Sequence, residues 1–489
     1  MLTLGLALVV LGLFGLVLRG VRRLRPGTLT RPRIVLLQLA LVAAWVFGGN
    51  LLGELRERSV RDAWRAVGDE VSASAKTQDE APNRASVELA KLASTLGMRI
   101  GPRSATAAAS DPLSDVGLAA LGPYLDGSFK RSDDRVERAP VELRAWLLLQ
   151  DAPARAVEEH LRAAGRVEWG PRGKDETLPY SPSELTRLHA VLTASALERM
   201  RAGDPAGASS SLEAAAALAA SLRGRGETLS RVVAAGLDRR LLGALRLLDP
   251  VPAAWQQRLD AIEAETRPAG ALAGESLELL EHVRRPDTTL RGLLLEMDVA
   301  PPLGEGRRSW LGERLLSLCG LGVPLEQLAS AIDLEQQQTQ TSFFRYVQGP
   351  LERPYMRLAA ADYTLVQART ASAVAAGDSC GPAPLPAPSQ VAPWSALAET
   401  GEPLVPRLAR TSAILRAELE LTRLVARSRA LRAQSRPLAW PRELPGAASQ
   451  ACPGRRFVAQ LSEGQAEIRL EPAAFSEQEA TVSFRMLGR

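Results

Sequence analysis

The sequence predicts a mainly α-helical protein: a two-helix transmembrane hairpin at the N-terminus, a large soluble domain of helical hairpins, and a small antiparallel β element at the C-terminus. Three observations predict it. Two apolar stretches without a charged side chain, residues 1–18 and 34–53, flank a run of arginines. Aromatic residues make up only 4% of a chain rich in Leu, Ala and Arg, a composition that favours helices over sheets. Only beyond Arg456 do short runs alternate apolar and polar side chains with the strand period.

The N-terminal element is read as residues 1–53. Twenty helical residues rise about 30 Å, the hydrocarbon thickness of a bilayer, so residues 34–53 are long enough to span. Residues 1–18 are shorter, and Arg19 extends their reach by snorkelling. Trp45 and Phe47 suit an interfacial aromatic belt. Between the stretches stand Arg19, Arg22, Arg23, Arg25, Arg31 and Arg33, with no acid among them. The positive-inside bias places this short loop in the cytoplasm and both chain ends on the opposite face. Arg56, Arg58, Arg61 and Arg65 pull the other way. Pro26-Gly27 and Pro32 fit a break between two helices. A cleaved signal peptide fits less well, because the start carries no basic side chain and no A-x-A pattern follows the first apolar stretch. Arginines between two spans are placed to touch lipid headgroups rather than nucleic acid. Gly49 and Gly53 match the small-xxx-small packing pattern and hint that the two spans associate.

Six of the 60 basic residues and none of the 55 acidic ones fall in residues 1–53, so the rest of the chain is close to neutral. It has no basic field to recruit nucleic acid. Lysine is confined to Lys76, Lys91, Lys130 and Lys174, a codon pattern of GC-rich bacterial genomes.

Residues 54–115 read as an amphipathic continuation of the second span, with Val60, Trp64, Val67 and Val71 on one stripe, followed by a polar stalk. The stalk contains one helical patch, "ASVELAKLASTLG". Residues 116–376 form the α-helical domain, helix after helix with Gly, Pro and charged punctuation. Asp151 and Asp204 begin turns into helices carrying Leu-x-Ala-Ala (Leu161–Ala164 and Leu212–Ala215), and each Asp is placed to cap the next helix. Residues 377–398 are a Pro-rich loop. Residues 399–489 hold a long helix, "LVPRLARTSAILRAELELTRLVARSRALRAQ", and three strands, "RFVAQL", "AEIRLE" and "ATVSFRML", with "SEGQ" turning between the first two.

No motif in a supporting context marks a reaction. His160, His189 and His282 form no H-E-x-x-H, and no P-loop or G-x-G-x-x-G follows a strand. Glu278 and His282 are a helical turn apart and read as a surface hydrogen bond, and Glu275, Glu278 and Glu281 as a solvated face. "GDSCG" matches G-x-S-x-G, but Ser379 follows a helix and precedes a proline run, the reverse of a nucleophile elbow. The serines of "GASSS" sit at a helix start, where they satisfy backbone amides. No catalytic, cofactor-binding or metal-binding residue is assigned, and no cofactor is expected. Cys319 reads as a buried core thiol. Cys380 and Cys452 lie in turn-rich loops and are the candidate disulfide if the domain faces an oxidising compartment. Phe343, Phe344, Tyr346, Tyr355 and Tyr363 gather in an aromatic-poor chain and are the candidate partner-binding residues, with core filling as the competing explanation.

"ALERMRAGDPAGASSSLEAAAALA" resembles tetratricopeptide-type helical hairpins, without their Trp-x-x-Leu-Gly opening or a regular 34-residue period. The succession from Leu185 to Gly377, then a helix and a short hairpin, is similar to uncharacterised membrane-anchored helical envelope proteins of bacteria. That resemblance implies an envelope location and no known chemistry. The C-terminal helix feeding a small sheet resembles in shape the globular part of pseudopilins, with no pseudopilin N-terminal signature.

The expected function is therefore a membrane-anchored periplasmic helical scaffold of the bacterial inner membrane, touching lipid through residues 1–53 and binding a protein or peptide partner, without nucleic acid. The alternatives are an envelope hydrolase acting on peptidoglycan or peptide, and an accessory subunit of a transport or secretion complex.

Overall fold

In the computed structural model the chain is mainly helical, with a small four-stranded antiparallel sheet at its C-terminal end. The structure describes residues 31–67, 82–101, 112–130, 133–170, 179–223, 225, 228–265, 279–284, 349–376, 380, 404–434, 447–462, 465–476, 480 and 482–487. The chain divides into two compact units.

The first unit comprises residues 1–65, 276–369 and 389–402. Its leading element is α1 (Arg31–Val67), one unbroken helix of 37 residues. The apolar stretch 34–53 and the amphipathic stretch after it are thus a single rod, ending four residues before Val71. Its inward stripe is Gly49, Gly53, Glu57, Val60 and Trp64, all buried and three or four residues apart, the spacing that keeps one helix face inward. The other side is apolar yet open, with Phe47, Leu51, Leu52 and Leu55 at least half exposed. Among the described residues no helix is long and apolar enough to cross a membrane. Residues 1–30, with Arg19, Arg22, Arg23 and Arg25, lie outside the described residues, as do the side chains of Arg31 and Arg33.

A helical stretch at 279–284 contributes Leu280 and Val283 to the core of this unit, and helix α10 (Gly349–Ala376) contributes Met356, Ala359 and Ala360. The two small residues read as a sign of span pairing face this contact, and the first apolar stretch lies outside the described residues. A Cβ on Gly49 would meet Pro354 of α10, and one on Gly53 would meet Arg357. Glycine is needed there because the side chains of α10 occupy the space a larger residue would take.

The second unit holds residues 66–275, 370–388 and 403–489. Within the stretch read as a polar stalk, α2 (Arg84–Thr95) is capped by Asn83, whose side chain accepts from the amide of Ser86. Leu89, Ala93, Leu96, Met98 and Ile100 are buried, so this segment belongs to the core. Then come α3 (Pro112–Lys130), α4 (Val141–Leu149), α5 (Asp151–Ala163), α6 (Pro182–Arg201), α7 (Pro205–Arg223), α8 (Thr228–Leu247) and α9 (Trp255–Glu265). Helix α7 packs on α5, α6 and α8. It can do so because its surface is Ala, Ser and Leu, and twelve of its residues are buried.

The α6–α7 hairpin turns at Gly203, whose φ of 79° suits only glycine without strain. Asp204 caps α7, its carboxylate accepting from the Gly207 amide at 2.8 Å. Asp151 does something else. It is the first residue of α5, and its carboxylate pairs with Arg155 at 2.9 Å and Arg199 at 3.3 Å.

Helix α11 (Leu404–Gln434) lies against α8, α9 and the sheet. The strands are β1 (Ala447–Ala448), β2 (Arg456–Ser462), β3 (Gln465–Glu471) and β4 (Ser483–Leu487), in that spatial order and all antiparallel. Ser462 pairs with Gln465, which fixes a two-residue connection at the "SEGQ" turn. Period-two alternation buries Ala466, Ile468 and Leu470 of β3 with Phe457, Phe484 and Met486 of its neighbours.

Candidate functional site

Those residues singled out from the sequence that the structure describes do not gather into one site. Phe343, Phe344 and Tyr346 lie outside the described residues. Tyr355 and Tyr363 are on α10, Tyr355 buried and Tyr363 half-buried. Glu275, Glu278, Cys319 and Ser379 also lie outside the described residues. His160 bonds the carbonyl of Ala85 through Nε2 at 2.8 Å and joins α5 to α2. His189 is fully buried in α6, and burial first, then the charges of Arg240 and Arg223, push its pKa down to about 3. Ser211 of "GASSS" donates to Glu158 at 2.8 Å and accepts from Arg199 at 2.7 Å, tying three helices together. Cys380 and Cys452 are joined by a disulfide with a Cα–Cα distance of 5.4 Å. Among the described residues no group of His, Cys, Asp and Glu is arranged to hold a metal ion.

What the structure does assemble is a basic cavity in the first unit. Its volume is about 300 Å³, and Val46, Asn50, Arg284, Arg353 and Arg357 line it. Three separate pieces of chain supply these side chains. Val46 and Asn50 are one turn apart on α1, Arg353 and Arg357 one turn apart on α10, and Arg284 ends the 279–284 stretch.

Glu57 holds the wall of this cavity. Its side chain is 1% exposed, and it accepts from Arg357 Nε at 2.7 Å and from Arg284 Nε at 3.1 Å, with Arg284 Nη2 also bound. A buried carboxylate needs such partners, because leaving it bare costs several kcal/mol. Asn50 adds a second clamp. Its Nδ2 donates to the Val46 carbonyl at 2.6 Å and its Oδ1 accepts from Arg357 Nη1 at 3.3 Å. Arg284 Nη1 reaches Glu281 at 2.8 Å. Burial works against the charge of Arg284, but the bond and charge of Glu57 outweigh it and raise the pKa, so the guanidinium stays ionised.

The donors are unevenly committed. Arg284 has every nitrogen engaged. Arg357 spends Nε and Nη1 on Glu57 and Asn50. Arg353 makes no hydrogen bond or ion pair among the described residues. Three fixed positive charges therefore face a space next to one buried carboxylate. Chemically this is an anion-binding geometry, with Val46 as its one apolar wall.

Reasoning from the sequence missed this cavity. Arg284 stands about seventy residues before Arg353 and Arg357 in a chain with 60 basic residues, and no local signal separates the three from the others. No family model, curated protein or solved structure matches the chain.

Proposed function

We propose that the protein is a membrane-anchored helical scaffold of a bacterial envelope, with its helical body on the oxidising side, where it binds a protein or peptide partner. The observation that carries this reading is the outward side of α1. Trp45, Phe47, Leu51, Leu52 and Leu55 are 39–77% exposed on a single helix that continues the charge-free stretch 34–53. Such a run of large apolar side chains is costly in water and is satisfied by lipid. Beyond it the helix turns polar on its outer side, with Glu54, Arg58, Asp62 and Arg65 open to solvent.

The disulfide supports an oxidising compartment, since such bonds persist where thiols are not kept reduced. For a partner, the second unit offers Val141, Leu148 and Leu149 of α4, each at least 64% exposed. These stand beside the aromatic cluster Phe343, Phe344, Tyr346, Tyr355 and Tyr363 as a second candidate contact surface.

The deciding experiment fuses reporters to Arg489 of the full chain. Alkaline phosphatase, active only in an oxidising compartment, is expected to be active, and a fluorescent protein that matures only in the cytosol is expected to be dark. The chain is also expected to resist alkaline extraction from membranes, and to become extractable when residues 1–53 are removed. A bright cytosolic reporter overturns both compartment and topology.

A further inference from the structure

We propose that the cavity lined by Arg284, Arg353 and Arg357 binds a phosphate group, carried by an anionic phospholipid headgroup or present as the free ion. The phosphate chemistry rests on the cavity alone. Only the lipid as its source rests on the membrane anchor proposed above.

Charge argues for an anion. Three guanidiniums line the space, and among the described residues Glu57 is the one buried carboxylate that pairs with them. Of the other acidic neighbours of Arg284, Glu281 is 58% exposed and shared with Arg61 at 3.4 Å, and Glu54 is 48% exposed and paired with Arg58 at 3.0 Å. The cavity thus keeps an excess of positive charge without an occupant.

Geometry argues for phosphate. Guanidinium forks bind tetrahedral oxyanions through paired N–H donors, and donors from two neighbouring guanidiniums match the several oxygens of a phosphate better than the two of a carboxylate. Arg353 brings a whole fork uncommitted among the described residues, and Arg357 brings Nη2. Glu57 and Asn50 fix the Arg357 fork beforehand, so little side-chain entropy is lost on binding.

Position argues for a headgroup. Val46 and Asn50, on the cavity wall, alternate along α1 with the exposed Trp45, Phe47 and Leu51. A phosphate in the cavity would then sit along the last two turns of the charge-free stretch 34–53, toward the depth where a phospholipid carries its own phosphate.

The test uses the full chain in a non-ionic detergent and in nanodiscs. Inorganic phosphate is titrated by calorimetry against wild type, Arg353→Gln and Arg65→Gln. Arg65 is 74% exposed and pairs with Asp62 on its own helix, so its variant controls for general surface charge. Saturable binding that weakens about tenfold or more in Arg353→Gln and is unchanged in Arg65→Gln is the expected result. In parallel, the chain is extracted from nanodiscs of phosphatidylglycerol or phosphatidylcholine, and retained lipid is weighed by native mass spectrometry. Selective retention of phosphatidylglycerol that Arg353→Gln abolishes, with or without binding of the free ion, assigns the headgroup. Phosphate binding with no lipid selectivity assigns the free ion. Absence of both, or equal losses in Arg353→Gln and Arg65→Gln, overturns the proposal. A bright cytosolic reporter with phosphate binding intact overturns the anchor and leaves the cavity standing.

Discussion

Gly49 of α1 lies so close to Pro354 of α10 that a methyl group on Gly49 would sit 2.6 Å from the Pro354 Cβ. Neither neighbour is flexible, since one is helix backbone and the other a proline ring. Gly49→Ala is therefore expected to destabilise the first unit by about 1–3 kcal/mol, the usual cost of overpacking. Its neighbour Gly48 has nothing within 4 Å of an added Cβ. Gly48→Ala is expected to be neutral or to stabilise by up to about 1 kcal/mol through helix propensity. Thermal unfolding of the detergent-solubilised chain, followed by circular dichroism, compares the two. Equal shifts would show that the α1–α10 approach carries no energy.

Glu57 makes the complementary prediction for polar groups. Its carboxylate is the shared acceptor of Arg284 and Arg357. Glu57→Ala leaves Arg357, only 13% exposed, without its 2.7 Å acceptor. The expected loss is about 3–5 kcal/mol, the cost of breaking a buried ion pair from one side. Arg58→Ala removes an exposed i,i+4 pair with Glu54 and is expected to change stability by no more than about 0.5 kcal/mol. Denaturant midpoints for the two variants on the same helix check the contrast.

Much of the fold was legible because it is local. The apolar spacing of Leu404–Gln434 gives a helix with those bounds, and the alternation in "AEIRLE" gives β3. Short or tertiary features were not. Strand β1 is two alanines, which carry no alternation, and exists only because Ala447 and Ala448 pair with Phe457 and Arg456. Helix α2 was legible as the patch "ASVELAKLASTLG", but its place was not: Leu89 and Ala93 enter the core, a contact no window of sequence contains. The cavity is the extreme case. Arg284 and Arg353 are brought together by packing on α1, a contact that no sequence window contains.

The Cys380–Cys452 bond closes a 72-residue separation that includes helix α11. Constraining the unfolded chain across such a loop is worth about 2–4 kcal/mol. Cys380→Ser is expected to lower the unfolding midpoint accordingly and to make it insensitive to dithiothreitol. Wild type without the reductant is expected to unfold later than wild type with it. Coincident curves for all three would remove the bond from the stability of the second unit.

His189 gives the pH prediction. It is fully buried in α6, and Nε2 has no hydrogen-bond partner among the described residues. Burial, then the charges of Arg240 and Arg223, hold its pKa at about 3, against 6.5 in the unfolded chain. Between those values the unfolded state binds a proton that the folded state refuses. Its contribution is thus fully present above pH 6.5 and is lost as pH falls, by about 1.4 kcal/mol per unit. Asp238 runs the other way: burial first, and Glu265 besides, outweigh Arg223 and raise its pKa to about 6, so its contribution is lost as pH rises from 3.8 through that value. The two oppose each other near pH 5, and the bare pH profile of wild type hides both. Subtraction separates them. His189→Leu keeps the bond from Thr193 Oγ1 to the residue-189 carbonyl, 2.8 Å in wild type, and removes the titrating ring. The variant is expected to gain on wild type by about 2 kcal/mol between pH 8 and pH 5. Denaturant melts of both proteins at each pH measure the gap, and parallel profiles would mean that the imidazole is protonated inside the fold after all.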